Sequence, residues 1–263
     1  AGSSLNISGA FSGDRELIKT GGGTLEFSGV FANSGNVTRI IEGTLLLNKE
    51  PGVNGLSNRI NIGSDKLGAA PATLRLGGSD QIPDGVGVVV HSSGLFDLNG
   101  NSDVIGTNFE LVVGPNGAGD VNIGEGGTLT TNVNSTVFTI GTGNATGATI
   151  TNGTLALQVF GNNAATTRTF NVNDGAIGTD LTITSAIVDG SGLISAGVTK
   201  SGFGTLELGG SSANTFTGTT TINQGALLLN KGSGTGGVNA MSGPLIIGSA
   251  SYDSGYQKSD LVR

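Results

Sequence analysis

The hydrophobic positions of this chain occur in short packets rather than in long amphipathic stretches. Within a packet, apolar residues alternate with small polar ones, and Gly, Asn or Asp closes the packet. Alternation with a period of two, in segments rich in Thr, Val and Ile, is typical of β-strands. The pattern therefore predicts an all-β protein with about twenty short strands. The clearest packets are residues 24–27, 60–62, 73–76, 96–98, 121–123, 154–157, 181–183 and 205–208.

The connections between the packets favour one β architecture over the others. Two-residue hairpin turns mark antiparallel sheets, and Asn99-Gly100 and Asn152-Gly153 are the best of few candidates. Most packets are joined by longer Gly, Ser and Asn stretches, which suit the turns between the flat faces of a solenoid. We therefore predict a parallel β-helix (β-solenoid) whose inward aliphatic side chains stack from coil to coil. Coils of about 20 residues predict about twelve or thirteen coils.

The composition supports a packed chain and excludes several other classes. Gly accounts for 49 of the 263 residues, but the net charge is only −7 and the mean hydropathy is slightly positive, which does not fit a disordered chain. With no Cys, disulfides and thiolate metal sites are excluded. The 12 Lys and Arg residues are scattered along an acidic chain, which argues against nucleic acid and anionic membrane partners. No apolar run reaches the length of about 18 residues that a membrane-spanning helix needs.

Two distant parts of the chain share a sequence. Residues 19–27 read KTGGGTLEF and residues 200–208 read KSGFGTLEL, while GTLLLNK at 43–49 returns as GALLLNK at 225–231. The offsets, 200 − 19 = 181 and 225 − 43 = 182, are far longer than one coil, so the repeat is a cassette of many coils. We place its first copy at about 17–197 and a truncated second copy at 198–263. Because the second copy stops inside a predicted strand, we expect the single β-helix over residues 1–263 to be a fragment of a longer repetitive protein.

Residues 200–231, KSGFGTLELGGSSANTFTGTTTINQGALLLNK, resemble the autotransporter-associated β-strand repeat, also called the passenger-associated transport repeat. The family pattern is K-x-G-x-G-T-L-x-L-x-G followed by N-x-[YF]-x-G-x-T-x-[IV]-x-x-G-x-L. The first copy departs from it at residues 33–41, which are one residue shorter and lack the aromatic residue, so we expect a reshaped turn there. In the second copy the later half of the pattern is filled by Asn214, Phe216, Gly218, Thr220, Ile222, Gly225 and Leu227.

The resemblance implies a fold and a setting. The fold is a right-handed parallel β-helix, and the setting is the passenger region of a large bacterial surface or secreted protein. It also implies that the repeat assists outer-membrane transport, because stacked coils fold outside the cell. We accordingly expect an extracellular or outer-surface location and a non-enzymatic rod that spaces, displays or assembles a surface coat or filament. Further repeats, other copies of the chain and surface glycans are the expected partners, without nucleic acid and without membrane insertion.

Two alternative functions remain open. The first is an adhesin or carbohydrate-binding module, in which side loops carry the affinity; the candidate loops are 50–58, 64–72 and 232–243. The second is a polysaccharide-degrading enzyme, which needs two facing carboxylates. Asp80, Asp97 and Asp120 could align on one face after coiling. Tyr252 and Tyr256 are the aromatic residues available as sugar platforms.

Other candidate chemistry is sparse. His91 is the single histidine, and no G-x-S-x-G motif surrounds any serine, so we interpret His91 as a strand-end or turn residue rather than a catalytic base. Residues 115–123 are similar to part of a calcium-binding nonapeptide, but one imperfect copy is a weak signal, and the turn at 99–103 looks ordinary. We predict no catalytic, cofactor-binding or metal-ligating residues, and calcium remains a weak alternative.

Two further groups of apolar residues carry packing predictions. The leucine triplets at 45–47 and 227–229 break the alternation, so one leucine of each faces outward or sits at a corner. A corner or a covering loop is the simpler interpretation, and a lateral contact stripe is the alternative. The phenylalanines assigned to core stacking are Phe11, Phe27, Phe96, Phe109, Phe138, Phe160, Phe170 and Phe203.

Overall fold

The computed structural model describes residues 2–106, 108–132, 134–140, 146–157, 166–190, 195–232, 238–248 and 261–262. In these ranges the regular structure consists of 26 short β-strands in three sheets, which confirms the predicted all-β class. The same ranges contain no helix that is long and apolar enough to cross a membrane.

The strands belong to three sheets, and the chain passes repeatedly from one sheet to another. Sheet 1 contains β1 (Ser4–Ile7), β3 (Thr24–Gly29), β5 (Gly43–Lys49), β7 (Ala72–Leu76), β9 (Gly94–Asp97), β13 (Asp120–Asn122), β16 (Ala148–Thr151), β19 (Leu181–Ile183), β22 (Thr205–Gly210), β24 (Ala226–Lys231) and β26 (Leu261–Val262). Sheet 2 contains β2 (Leu17–Lys19), β4 (Thr38–Ile40), β6 (Ile60–Ile62), β8 (Val88–Val90), β11 (Phe109–Gly114), β15 (Ser135–Thr139), β18 (Thr166–Val172), β21 (Ala196–Ser201), β23 (Thr220–Ile222) and β25 (Leu245–Ile247), with β12 (Gly117–Ala118) beside β11. Sheet 3 contains β10 (Asp103–Ile105), β14 (Thr128–Thr131), β17 (Thr154–Leu157) and β20 (Ala186–Asp189).

Each strand except β12 pairs with the strand one coil away, and this pairing is parallel, so the chain winds as the predicted β-solenoid. The alternation of side chains sends every second residue inward, and equivalent inward residues stack in register. One such column in sheet 1 spans ten strands, and its seven central members, from Leu45 to Leu208, are fully buried. The column runs Leu5, Leu25, Leu45, Leu74, Phe96, Val121, Ile150, Ile183, Leu208 and Leu229.

The coils differ in length, and the predicted number of coils was too high for the described part of the chain. The step from Leu5 to its partner Leu25 is much shorter than the step from Ile150 to its partner Ile183. Within the described residues, the eleven strands of sheet 1 define ten coil-to-coil steps rather than twelve or thirteen coils. At a strand spacing of about 4.8 Å, ten steps extend about 48 Å along the axis. The extra length of the longer coils is not revealed by the packet spacing alone.

The two hairpin candidates are corners of the solenoid instead. Asn99 and Asn152 have φ angles of 54° and 59°, and the glycine after each also has a positive φ. This left-handed conformation turns the chain from one flat face to the next. Within the described residues the one antiparallel pair is β11 with β12, where Gly114 faces Gly117 across a two-residue tip.

Four of the predicted core phenylalanines are buried, and Phe216 is buried as well. Phe11 is half-buried and lies with its ring centroid 5.0 Å from that of Phe27. Phe203 is 53% exposed at a corner, so its assignment to the core was wrong. The Phe138 side chain and Phe160 lie outside the described part. The four confirmed residues are Phe27, Phe96, Phe109 and Phe170.

The middle leucine of each triplet faces outward from the flat surface of sheet 1. Leu46 lies between Glu26 and Arg75 in the strand ladder, and Leu228 lies beside Glu207. Both are half-buried, and their neighbours in the triplets point inward. The predicted corner or covering loop was therefore wrong, because these residues sit in the middle of strands. Charged neighbours rather than other leucines flank them, so the outer face carries no continuous leucine stripe at these positions.

A repeated lysine corner as the candidate functional site

Lys19 and Lys200 occupy the same inward position at the end of a sheet 2 strand. Lys19 pairs with Ile40, and Lys200 pairs with Phe170 and Ile222. Lys19 is 7% exposed and Lys200 is fully buried. Each lysine therefore places an ammonium at the end of an apolar column, where burial is costly unless acceptors surround it.

The backbone supplies those acceptors in the same arrangement in both repeats. Two are carbonyls of the corner that directly follows the lysine, and the third lies one coil later, shortly before β5 in the first repeat and shortly before β24 in the second. An ammonium has three donors, and three carbonyls match them. Lys19 Nζ donates to the carbonyls of Thr20 (3.2 Å), Gly21 (2.5 Å) and Glu42 (2.9 Å), and Lys200 Nζ to those of Ser201 (2.9 Å), Gly202 (2.7 Å) and Gln224 (3.1 Å).

A glycine directly after the third carbonyl makes room for the ammonium. Gly43 and Gly225 both have a φ of 72°. A Cβ atom at Gly225 would lie 2.8 Å from Lys200 Nζ and 2.4 Å from the Gly204 carbonyl oxygen. At Gly43 the corresponding distances are 2.8 Å to Lys19 Nζ and 2.6 Å to the Gly23 carbonyl oxygen. The repeat pattern thus requires glycine here for both its backbone conformation and its lack of a side chain.

A buried asparagine fixes a second corner in each repeat. Asn33 and Asn214 each donate to a carbonyl of the following coil and accept an N–H from the preceding coil. The predicted reshaping of the first copy therefore does not extend to this asparagine. The amide of Asn33 accepts from Phe11 N (3.2 Å) and donates to Gly55 O (2.9 Å), and that of Asn214 accepts from Ile187 N (2.9 Å) and donates to Ala240 O (2.8 Å).

The missing aromatic residue of the first copy is replaced from another coil. Gly35 stands two positions after Asn33, as Phe216 stands two positions after Asn214. A Cβ atom at Gly35 would lie 3.5 Å from the ring of Phe11, which thus occupies part of the space that Phe216 fills in the second copy. A small cavity of about 10 Å³ remains beside Gly35. The difference between the copies is local packing around one side chain.

A second lysine in each repeat also connects coils. Lys49 Nζ donates to Ser28 O (2.8 Å), and Lys231 Nζ donates to Ser185 O (3.1 Å). Burial lowers the pKa of Lys49, and it lowers the pKa of Lys231 to about 8. Burial likewise lowers the pKa of Lys19, against the opposing effect of the Glu42 charge. Burial therefore partly destabilises the charged form of the lysines that make these coil-to-coil bonds.

Sequence reasoning missed a buried acid at another corner. Asp103, in the turn that looked ordinary, is 1% exposed and accepts the main-chain N–H groups of Gln81 (2.9 Å), Ile82 (3.2 Å) and Val104 (2.8 Å). Burial raises the pKa of Asp103 to about 7, and the charge of Asp80 acts in the same direction, while the N–H donors oppose it. The available signal was an Asp directly before an alternating Val-Ile packet, a position where a carboxylate can cap the corner.

Two of the three candidate catalytic carboxylates lie on one face, and the third does not. Asp97 and Asp120 lie on the outer face of sheet 1 in adjacent strands, but Asp80 sits at a corner, with a φ of 53°, near Asp103. Asp97 accepts from Asn122 Nδ2 (3.0 Å) and lies 3.4 Å from Arg75 Nε. Asp120 accepts both the N–H and the hydroxyl of Thr149. Tyr252 and Tyr256 lie outside the described residues.

His91 directly follows β8, at the strand end where it was predicted. Its Nδ1 lies 2.6 Å from Asp65 Oδ2, and both side chains are about a quarter exposed. The other oxygen of Asp65 accepts the N–H of Ser92 (2.8 Å). No motif in the sequence indicated this pair, because Asp65 belongs to the previous coil.

The segment that resembled a calcium-binding nonapeptide forms the tip of the β11–β12 hairpin, β12 and β13. Asn116 at the hairpin tip donates to Ser64 O (3.1 Å) and Lys66 O (2.8 Å) and accepts the N–H of Gly68 (2.8 Å). Its amide therefore anchors the candidate loop 64–72. Among the described residues no group of three or more His, Cys, Asp or Glu side chains could hold a metal ion.

Comparison with known proteins places the repeated corner in a family. Residues 17–47 and 198–229 match the passenger-associated-transport-repeat family model. Comparisons with curated proteins and with solved structures gave no match. The two matched segments contain both lysine corners, both corner asparagines and both corner glycines.

Proposed function

We propose that this chain, which carries two passenger-associated transport repeats, is a structural segment of an autotransporter passenger at the bacterial surface. In this proposal it forms a β-helical rod that spaces, displays or assembles a surface coat or filament. The observation that carries the proposal is the lysine corner, which recurs with the same three acceptors in two repeats that lie far apart in the sequence.

The corner supports a mechanism of growth from coil to coil. Two acceptors of Lys200 lie in its own corner, but the third, the Gln224 carbonyl, arrives only when the next coil docks. Until then the ammonium lacks one of these three carbonyl acceptors at the end of an apolar column. Opening of a docked coil would remove that acceptor again, so opening is disfavoured. Because each coil contacts mainly its neighbours, stability accumulates along one dimension. Such a chain gains stability as successive coils emerge and stack.

The same proposal includes a non-enzymatic role without cofactor or metal. Its support is that the outer-face carboxylates Asp97 and Asp120 are engaged by neighbouring side chains, in a ladder between coils. The proposed partners are further repeats or other copies of the chain, pairing with end strands such as β1 and β25. The proposal includes no nucleic-acid partner and no membrane insertion, and the scattered distribution of the basic residues supports this.

Surface display tests the proposal. The chain would be placed between a secretion signal and an outer-membrane translocator, and the amount accessible to added protease would be measured on intact cells. We expect the double variant Lys19→Met/Lys200→Met to reach the surface less than the parent. Lys66→Met, which alters an exposed loop lysine, serves as the matched control.

Transport and structure can be tested separately. If the double variant is less stable as a purified protein yet is displayed like the parent, the coil-to-coil lock does not serve transport and the proposed mechanism fails. Negative-stain electron microscopy of the displayed material then tests the structural role. Rods or ordered polymers support it, and compact particles without an elongated shape contradict it.

A further inference from the structure

A cleft with a volume of about 170 Å³ opens on the outer face of sheet 2, where β4 and β6 end. The strand register aligns Ile40, Ile62 and Val90, so the residues that follow them form a column of Ile41, Gly63 and His91. Gly63 contributes no side chain to this column. Its φ is 86°, and a Cβ atom there would lie 2.5 Å from the N atom of Gly94. The cleft is lined by Arg39, Ile41, Asn61, Gly63, Ser64, Asp65 and His91.

Three polar side chains of the cleft retain hydrogen-bonding capacity. Among the described residues, the amide of Asn61 has no partner, Arg39 uses only its Nε, which binds Glu16, and His91 uses only its Nδ1. In the tautomer whose Nδ1–H donates to Asp65, His91 presents Nε2 as an acceptor. The cleft therefore combines guanidinium donors, an amide that both donates and accepts, and an imidazole acceptor.

The wall of the cleft is held in place from two later coils. Asp65 is bound by His91 and Ser92, and Ser64 N donates to Ser93 Oγ (3.0 Å). Asn116 adds bonds to the carbonyls of Ser64 and Lys66 from the hairpin tip. A site whose wall is already ordered loses little conformational freedom when a ligand binds.

We infer that this cleft binds a neutral pyranose unit of a glycan, which goes beyond the structural role proposed above. Each sugar hydroxyl both donates and accepts, which matches the mixed set on Asn61, Arg39 and His91. Ile41 is 39% exposed and offers an apolar contact for the C–H face of a ring. Arg39 brings one positive charge against the two negative charges of Glu16 and Asp65, so the cleft does not favour an acidic ligand.

Saturation-transfer difference NMR on the whole chain tests the inference. The probes are the methyl pyranosides of glucose, galactose and mannose, with methyl glucuronoside as the acidic comparison. We expect saturation transfer to at least one neutral pyranoside and at least a tenfold rise in its Kd for Asn61→Ala. Asn61 has no partner to lose within the described part of the chain, so the urea midpoint of this variant stays at the parent's value. His91→Phe is expected to weaken binding similarly.

Asn223→Ala is the matched control. Asn223 is half-buried like Asn61, but it directly follows β23, which lies six strands beyond β6 in sheet 2. If the pyranoside binds equally well to the Asn61→Ala, His91→Phe and Asn223→Ala variants, the cleft is not the binding site. No saturation transfer to any neutral pyranoside, or stronger transfer to the glucuronoside, would overturn the ligand assignment. In either case the Asp65–His91 pair would be an anchor for the loop and nothing more.

Discussion

Replacement of Lys200 by methionine tests the lysine corner in isolation. Methionine keeps an unbranched stem of similar length, so the contacts beside Phe170 and Ile222 are largely retained. What disappears is the ammonium, and with it the donor for three main-chain carbonyls. The experiment therefore separates hydrogen bonding at the corner from packing in the column.

The expected loss follows from these three acceptors. A buried carbonyl that loses its donor costs about 1–3 kcal/mol, so three of them set a range of about 3–9 kcal/mol. Removal of the ammonium also relieves its own desolvation, which amounts to several kcal/mol for a buried ion. We therefore expect Lys200→Met to lower the free energy of unfolding by about 3 kcal/mol.

Urea unfolding followed by circular dichroism measures the global effect, and amide hydrogen exchange localises it. Because a solenoid opens in parts, exchange should accelerate first in β21, which carries Lys200, and in β23, which pairs with it. Lys66→Met should leave both measurements unchanged, since Lys66 is exposed in a loop. If Lys200→Met unfolds at the same urea concentration as Lys66→Met and shows the parent's exchange pattern, the three bonds do not hold the coils together.

Three further predictions concern other parts of the repeat and its corners. Burial raises the pKa of Asp103 from 3.8 to about 7, so between these pH values this group binds more protons in the folded chain than in the unfolded chain. The contribution of Asp103 to the free energy of unfolding therefore falls as pH rises from about 4 to 7, by at most about 1.4 kcal/mol per pH unit. Urea midpoints across this range should fall less steeply for Asp103→Asn. Phe216→Ala should lower the free energy of unfolding by about 3–5 kcal/mol. The control is Phe31→Ala at an exposed position, which should change it by less than about 0.5 kcal/mol. Equal effects would show that the aromatic position of the repeat is not a packing site. Gly225→Ala should destabilise more than Gly52→Ala, because both have a strongly positive φ but only Gly225 has atoms within 4 Å of the added Cβ; matching melting temperatures would mean that the corner tolerates a side chain.

The solenoid could be predicted because its main determinant is local. Alternating packets closed by Gly or Asn set strand and corner positions, and residues such as Leu74 and Ile150 need only face inward to join the column. The number of coils could not be predicted in the same way. The interval from Ile150 to Ile183 is much longer than that from Leu5 to Leu25, and its length does not follow from the packets at its ends.

The candidate sites were less predictable, because they depend on which residues the coiling brings together. The repeated Lys, Gly and Asn were visible as a pattern, but the role of Lys19 as a donor to Glu42 O requires the register of two coils. The pairing of Asp65 with His91 joins residues of different coils, and their spacing matches no fixed repeat. Asp103 looked like a turn residue, and its burial follows from packing against the coil that contains Gln81.

The corners and the excursions occupy different parts of the rod. Within the matched repeats the coils are short, as from Leu25 to Leu45 and from Leu206 to Leu227. In these coils a buried lysine and a buried asparagine hold the register, and little chain is left for a side loop. Between the repeats the coils lengthen, and side chains such as Asn116 anchor the excursions instead.

In this arrangement the coils of the repeats stabilise the stack, and the coils between them carry the loops that vary its surface. A tightly locked coil pair in each cassette would hold the register, while the coils between are free to vary their loops. Most of the residues that line the cleft beside His91 lie in such an intervening region, next to the loop of the long coil from Leu45 to Leu74, while Arg39 and Ile41 belong to the first matched repeat. A new binding surface can thus arise there without disturbing the corners that hold the stack together.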